Sequence, residues 1–203
     1  MLKLEVNVKK RVGNFYLNSY LFDDKNNVIG IFGKNGSGKT TFLRIISGFI
    51  DPDEGFIRLD DVDITKYPPW KRSIALVTPN SYLPNLKVRK HLLITSKKKT
   101  SEKIFSEIEW LLDGIDKEKK VKELSLGQRE RVALVTALLS YPKLILVDEA
   151  FSNIHNKKDF ITNYTELIKK LNLKLIFVSQ DLSDSNFADI SYKMENGELK
   201  RFE

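Results

Sequence analysis

The stretch Gly33-Lys34-Asn35-Gly36-Ser37-Gly38-Lys39-Thr40 fits the spacing G-x-x-x-x-G-K-[ST], a loop whose chemistry is the cradling of phosphates. Its glycines let several backbone N–H groups point at one spot, and the N-terminus of a following helix adds its positive end. In that setting Lys39 reaches the β- and γ-phosphates of a nucleotide, and the Thr40 hydroxyl ligates Mg²⁺. Further on, Leu144-Ile145-Leu146-Val147-Asp148-Glu149 is an apolar run ending in two carboxylates. At the carboxyl edge of a sheet, Asp148 can hold Mg²⁺ opposite Thr40, and Glu149 can polarise a water for in-line attack on the γ-phosphate. Just before that run, Leu124-Ser125-Leu126-Gly127-Gln128 opens a helix. A hydroxyl, a glycine amide and a helix dipole form a phosphate-binding set there, although Ser125 and Gln128 also make an ordinary capping box.

Such residues need elements to hold them. Asn27-Val28-Ile29-Gly30-Ile31-Phe32 reads as a buried strand entering the loop, and Thr41-Phe42-Leu43-Arg44-Ile45-Ile46 as a helix leaving it, closed by Gly48. Residues 2–32 are β-rich: Leu2, Leu4, Val6 and Val8 alternate with polar residues, and residues 15–22 follow as a second strand. Residues 54–65 and 73–78 read as further strands. From about Asn80 to Leu124 the pattern turns helical and Lys-rich, with Ile104, Phe105, Ile108, Leu111 and Leu112 at helical spacing and Gly114 as a stop. Helices at about 127–140 and 158–171 then alternate with apolar strands at 143–147 and 174–178. That alternation argues for a parallel sheet covered on both faces.

The 203 residues suffice for one mid-sized α/β domain, with 41% hydrophobic and 30% charged residues. There is no apolar run of 18 residues to cross a membrane, and the alternating N-terminus lacks the apolar core of a signal peptide. Zero Cys excludes disulfides and thiolate metal sites. A cytoplasmic location is therefore expected. The net charge of +7 is mostly dispersed, with clusters at Lys97-Lys98-Lys99 and within residues 117–122. No aromatic residues interleave with them, so a solvated face is favoured over a nucleic-acid platform. Contact with anionic lipid heads stays open.

The order of residues 33–40, 124–128 and 144–149 resembles the Walker A, signature and Walker B order of ABC-type ATPase subunits, and the resemblance runs the whole chain. Lys10-Arg11-Val12-Gly13-Asn14-Phe15, residues 60–65 and Pro68-Pro69 resemble the importer ATPases, especially the molybdate/tungstate branch. Met194-Glu195-Asn196-Gly197-Glu198-Leu199 resembles that family's final β-hairpin. The resemblance implies an α/β P-loop NTPase core with a parallel sheet flanked by helices, an N-terminal antiparallel β-subdomain and a helical subdomain insertion. One ATPase domain would cover residues 1–203, with core at about 1–79, the helical part at about 80–124 and core again at about 125–203.

The same resemblance implies ATP and Mg²⁺ as cofactors and an ATPase reaction giving ADP and phosphate. The expected nucleotide-binding set is Gly33, Asn35, Gly36, Ser37, Gly38, Lys39, Thr40 and Thr41, with Val12 at the adenine. A head-to-tail homodimer or heterodimer would place each ATP between one subunit's phosphate loop and Ser125, Gly127 and Gln128 of the other. The helical part would dock on a membrane permease at the inner face of the cell membrane, with a substrate-binding protein as a further partner. The C-terminal regulatory domain of many importer ATPases is expected to be missing.

Four positions depart from the family's pattern. Pro79 stands where a Gln senses Mg²⁺ and the attacking water, and proline has no side-chain amide. His155, in Ser152-Asn153-Ile154-His155, stands where the loop crossing the dimer carries Asp. Read by itself it is an exposed loop histidine, and neither it nor His91 has metal-ligand spacing. Gln180, in Ser179-Gln180-Asp181, replaces a switch His at the γ-phosphate, keeping a donor but losing the cationic form. Val12 replaces the aromatic residue that stacks on adenine, with Phe15 or Tyr16 as substitutes. Losing one preorganised transition-state hydrogen bond costs on the order of 10²–10³ in rate. ATP binding with slow hydrolysis through Glu149 and Gln180 is the expectation. An ATP-dependent regulatory module and the degenerate half of a heterodimer remain alternatives.

Overall fold

A computed structural model describes residues 1–95 and 107–202. Its first sheet is antiparallel. Strand β1 (Leu4–Val12) turns at Gly13 into β2 (Phe15–Asp23), while β4 (Glu54–Leu59) and β5 (Val62–Asp63) extend the sheet in the order β2-β1-β4-β5. Residues 54–65, expected as continuous strand, are folded back as a hairpin instead. Asp60 and Asp61 both take positive φ, 49° and 64°, which is the backbone that a tight two-residue turn between twisted strands requires.

The second sheet supplies the site. It contains β3 (Val28–Phe32), β6 (Ile74–Val77), β7 (Leu144–Asp148), β8 (Lys174–Ser179), β9 (Ile190–Glu195) and β10 (Glu198–Arg201), in the order β10-β9-β3-β8-β7-β6. All neighbours pair in parallel except β10, which returns from β9 as a hairpin. Its central strands are buried on both faces, which is why they read as unbroken apolar runs rather than alternating ones.

The two faces still separate by period two. Val28, Phe32, Ile145, Val147, Leu175 and Phe177 point into a core shared with helices α3 (Leu126–Leu139) and α4 (Lys157–Lys170). Ile29, Ile31, Leu144, Leu146, Ile176 and Val178 point the other way, against α1 (Lys39–Ser47) and the inward face of the antiparallel sheet. Lys174 at the start of β8 forms a fully buried ion pair with Asp23 at the end of β2, so the two sheets are pinned by charge as well as by apolar contact.

Between β6 and α3 the described residues include α2 (Val88–Leu93) and the 3-10 turns Glu109–Leu112 and Val121–Glu123. Leu111, Leu112 and Ile108 are buried as their spacing predicts, and Gly114 ends the turn at φ 73°. Ile104, Phe105 and the cluster Lys97-Lys98-Lys99 lie outside the described residues. Arg131 of α3 donates to the carbonyls of Trp110, Leu111 and Asp113, and Arg129 to those of Lys122 and Leu124, fastening this region to one helix.

Candidate functional site

The register aligns the carboxyl ends of four parallel strands. Phe32 pairs with Ser179, Asp148 with Val178, and Val77 with Val147. The residues that follow are Gly33, Gln180, Glu149 and Thr78-Pro79, so four segments singled out in the sequence leave the sheet at one edge, where α/β proteins bind ligands.

The phosphate loop is built by close approach and by positive φ. A Cβ at Gly33 would lie 2.4 Å from the Met194 carbonyl oxygen, so only glycine lets the loop lie against β9. Gly36 and Gly38 take φ of 77° and 111°. Helix α1 starts directly after them with no side chain capping its N-terminus and no acidic residue in its first turn. Its leading N–H groups are free to bind an anion. The Lys39 side chain is buried, and its Nζ donates to the carbonyl oxygens of Gly33 at 2.8 Å and Lys34 at 3.0 Å. Burial pushes this ammonium's pKa down, against the opposing pull of Glu149 and Asp148. Ser37 Oγ is buried with no hydrogen-bond partner among the described residues.

Thr40 and Asp148 meet as expected: Thr40 Oγ1 donates to Asp148 Oδ1 at 3.1 Å. Asp148 is almost fully buried, and that burial raises its pKa, offset by the Thr40 bond and reinforced by the charge of Glu149. Two oxygen donors on adjoining elements suit a hard cation. Among the described residues no cluster of three or more His, Asp or Glu could hold a metal alone. That fits Mg²⁺, which takes one or two protein oxygens and fills its shell with phosphate and water.

Glu149 adopts φ 57°, an uncommon backbone for a non-glycine residue and one that clusters at functional sites. Its Oε1 stands 4.0 Å from Lys39 Nζ and accepts a bond from Gln180 Nε2 at 3.0 Å. The chain thus brings Lys39, Thr40, Asp148, Glu149 and Gln180 together. The residue before it, Ser179, is anchored by Asp184, which is buried and accepts from Ser179 Oγ and Lys157 Nζ, each at 2.7 Å. No spacing in the sequence pointed to that support.

A cleft of about 340 Å³ beside the loop is lined by Asn35, Gly36, Gly38, Lys39, Thr40, Thr41 and Glu149, together with Val12 and Phe15. Tyr16 is not among its lining residues; Phe15 is, its ring lying against Gly38. A second hollow of about 710 Å³ on the loop's other flank includes Gly33, Ser37, Gln180 and Met194. Neither includes any of residues 125–128.

Ser125 instead caps α3 reciprocally: Gln128 N–H donates to Ser125 Oγ, and Ser125 N–H donates to Gln128 Oε1. Ser125 and Leu126 are exposed, while Gly127 is buried. Pro79 follows β6 in a turn closed by Thr78 N–H to Ser81 Oγ and lines neither hollow. His155 is exposed. His91 is buried beside Thr136, and burial lowers its pKa, so it is a core residue rather than a ligand.

Fold and site define a phosphate-loop α/β protein of the nucleotide-binding class. Residues 22–152 match the family profile described as ABC transporter. The molybdenum import ATP-binding protein of Mannheimia succiniciproducens is 33% identical over 214 residues, covering 100% of this chain and 60% of that protein. The molybdate/tungstate import ATP-binding protein of Archaeoglobus fulgidus is 32% identical over 212 residues, covering 97% of this chain and 85% of that one. The crystal structure of an ABC transporter's ATP-binding cassette in its ADP conformation superposes with a TM-score of 0.82 at 28% identity, covering 98% of this chain and 89% of that chain. The chain belongs to the ABC transporter family. It spans 60% of the length of the molybdenum import relative from Mannheimia.

Proposed function

We propose that this chain is the ATP-binding and slowly hydrolysing subunit of an import-type ABC transporter. The observation that carries the reading is the convergence, on one sheet edge, of the Lys39 loop, the Thr40–Asp148 pair and Glu149. In this reading the loop amides and the α1 N-terminus bind the phosphates of ATP, and the buried Lys39 ammonium turns from the loop carbonyls to the β- and γ-phosphate oxygens. Val12 and Phe15 receive the adenine. Thr40 and Asp148 would hold Mg²⁺, which would supply charge neutralisation at the phosphates. Glu149 orients a water and takes its proton as the oxygen attacks phosphorus; ADP leaves with inorganic phosphate as the second product.

Ser125, Gly127 and Gln128 act on the nucleotide of a second subunit, since they lie outside both hollows of their own phosphate loop. Dimer closure then works on a membrane permease, with the chain peripheral on the inner membrane face. Among the described residues no helix is long and apolar enough to cross a membrane. The import relatives make a molybdate-like oxyanion the leading candidate for cargo.

Slow turnover follows from two groups. Gln180 occupies one oxygen of Glu149 and cannot become cationic, and Pro79 offers no amide to the water. The same two groups favour a second reading, in which a partner ATPase of different sequence supplies the stronger site; the subunit stoichiometry of a native complex decides between them. The main reading is tested with purified chain. Glu149→Gln is expected to cut ATP turnover by at least about 10², the scale of a lost catalytic group, and to accumulate a dimer at saturating ATP. Unchanged turnover, or a variant still monomeric at saturating ATP, overturns it.

A further inference from the structure

Glu130 lies on α3, one turn beyond the capping box, and is 1% exposed. Burial raises its pKa, and among the described residues no cation pairs with it. Both its oxygens are spent on one residue of the loop between β7 and α4. Oε1 accepts from Asn153 Nδ2 at 2.7 Å, and Oε2 accepts from Asn153 N–H at 3.3 Å. Asn153 is also pressed onto the same face of that helix one turn earlier: a Cβ at Gly127 would lie 2.3 Å from its carbonyl oxygen. The chain of bonds continues inward. Asn153 Nδ2 also reaches Ser152 Oγ at 3.3 Å, and Ser152 Oγ donates to the carbonyl oxygen of Glu149 at 2.7 Å.

We propose that Glu130 is a positioning residue that, through Asn153 and Ser152, couples the helix bearing residues 125–128 to the backbone of Glu149. This deepens the reading given above and rests on it. One end of the chain of bonds is the segment that faces the other subunit's nucleotide, and the other end is the residue that acts on the chain's own. Movement of α3 on dimer closure is thereby passed to Glu149 without leaving the subunit. A carboxylate is the side chain that can do this, because it accepts from both Asn153 donors at once. Glutamine has one accepting oxygen, so Glu130→Gln sets an N–H against an N–H.

The test uses the full chain and two readouts. Hydrogen exchange in nucleotide-free protein reads the clamp independently of any ATP chemistry. Glu130→Gln is expected to speed exchange of amides 150–154 about tenfold while those of β3 and α1 keep their rates. Steady-state turnover reads the consequence: kcat about tenfold lower, with the ATP dissociation constant within twofold. The exchanged pair Glu130→Gln with Asn153→Asp restores a donor–acceptor match and is expected to recover at least half of kcat. Asn153→Ala, at an exposed position, carries the same two measurements if Glu130→Gln does not fold.

Unchanged exchange overturns the clamp. Faster exchange with unchanged kcat overturns the coupling, as does an exchanged pair no better than Glu130→Gln. A wild-type chain that neither binds nor hydrolyses ATP overturns the parent reading and with it the coupling, while the exchange result still decides the clamp.

Discussion

Asp148 shows at the scale of one residue how a site is kept at a cost to stability. Burial lifts its carboxyl above the ordinary value of 3.8, so the folded chain holds the proton more tightly than the unfolded chain does. Folding is then favoured by this group at low pH, and the benefit is lost as pH rises through the folded pKa, leaving a charged buried carboxylate at neutrality. Asp148→Asn keeps the acceptor for Thr40 and removes the charge. The nucleotide-free variant is expected to melt a few degrees higher at neutral pH, the shift that about 1 kcal/mol gives in a chain of this size. The difference should close as pH falls through the raised folded-state pKa, below which the folded wild type carries the proton as well. Added Mg²⁺ with ATP should stabilise wild type more than the variant, which keeps the phosphate loop but loses a metal-holding carboxylate. Thermal unfolding across pH, with and without Mg²⁺-ATP, checks all three expectations, and a variant that melts lower at neutral pH refutes the first.

The phosphate loop depends on an element whose other end is anchored far from it. Arg72 is 2% exposed and places its guanidinium at the C-terminus of α1, donating to Ile45 and Ile46 carbonyls there and to Thr65 and Tyr67 carbonyls in the loop after β5. The Ile45 carbonyl also accepts Gly48 N–H, so Arg72→Met would strand three acceptors, and at roughly 1 kcal/mol or more each the loss is expected to reach about 3 kcal/mol. Arg72→Lys should recover only part, because one ammonium cannot span the fork. Denaturant unfolding of both variants measures this, and equal loss in the two would show that the planar fork is not what matters. None of this was legible in the sequence, where Arg72 is one cation among many. The strands and helices around residues 33–40 and 144–149 were legible because apolar runs and glycines report local backbone needs. The hairpin break at Asp60-Asp61 was missed because two aspartates at positive φ look like an ordinary polar pair. Glu130 and Asp184 were missed for a different reason: Asn153 and Lys157, which meet them, lie 23 and 27 residues away and come together only through the tertiary fold.

At the scale of the whole molecule, the phosphate loop and residues 125–128 belong to one chain but not to one hollow. Gly127 is packed against Asn153, the Ser125 and Gln128 side chains each accept the other's backbone N–H, and Gln128 Nε2 donates to the Gly114 carbonyl, so the segment is held in place with Ser125 exposed. A segment held in this way, apart from both hollows of its own loop, is explained on the proposed function if a second copy uses it. That arrangement has a consequence that no single-chain site shares. Lys39→Met removes the loop's ammonium, and Ser125→Arg blocks the facing segment; each variant alone is expected to lose nearly all turnover. In an equimolar mixture, half the dimers would pair one variant with the other. Each mixed dimer joins the intact loop of the second variant to the intact segment of the first and leaves its other site doubly damaged. One site in four is therefore whole, and about a quarter of wild-type turnover should return, rising and falling with the mixing ratio. A self-contained site predicts no recovery at any ratio, so a mixture as inactive as its parents would dismiss the shared site while leaving ATP binding by the loop untouched.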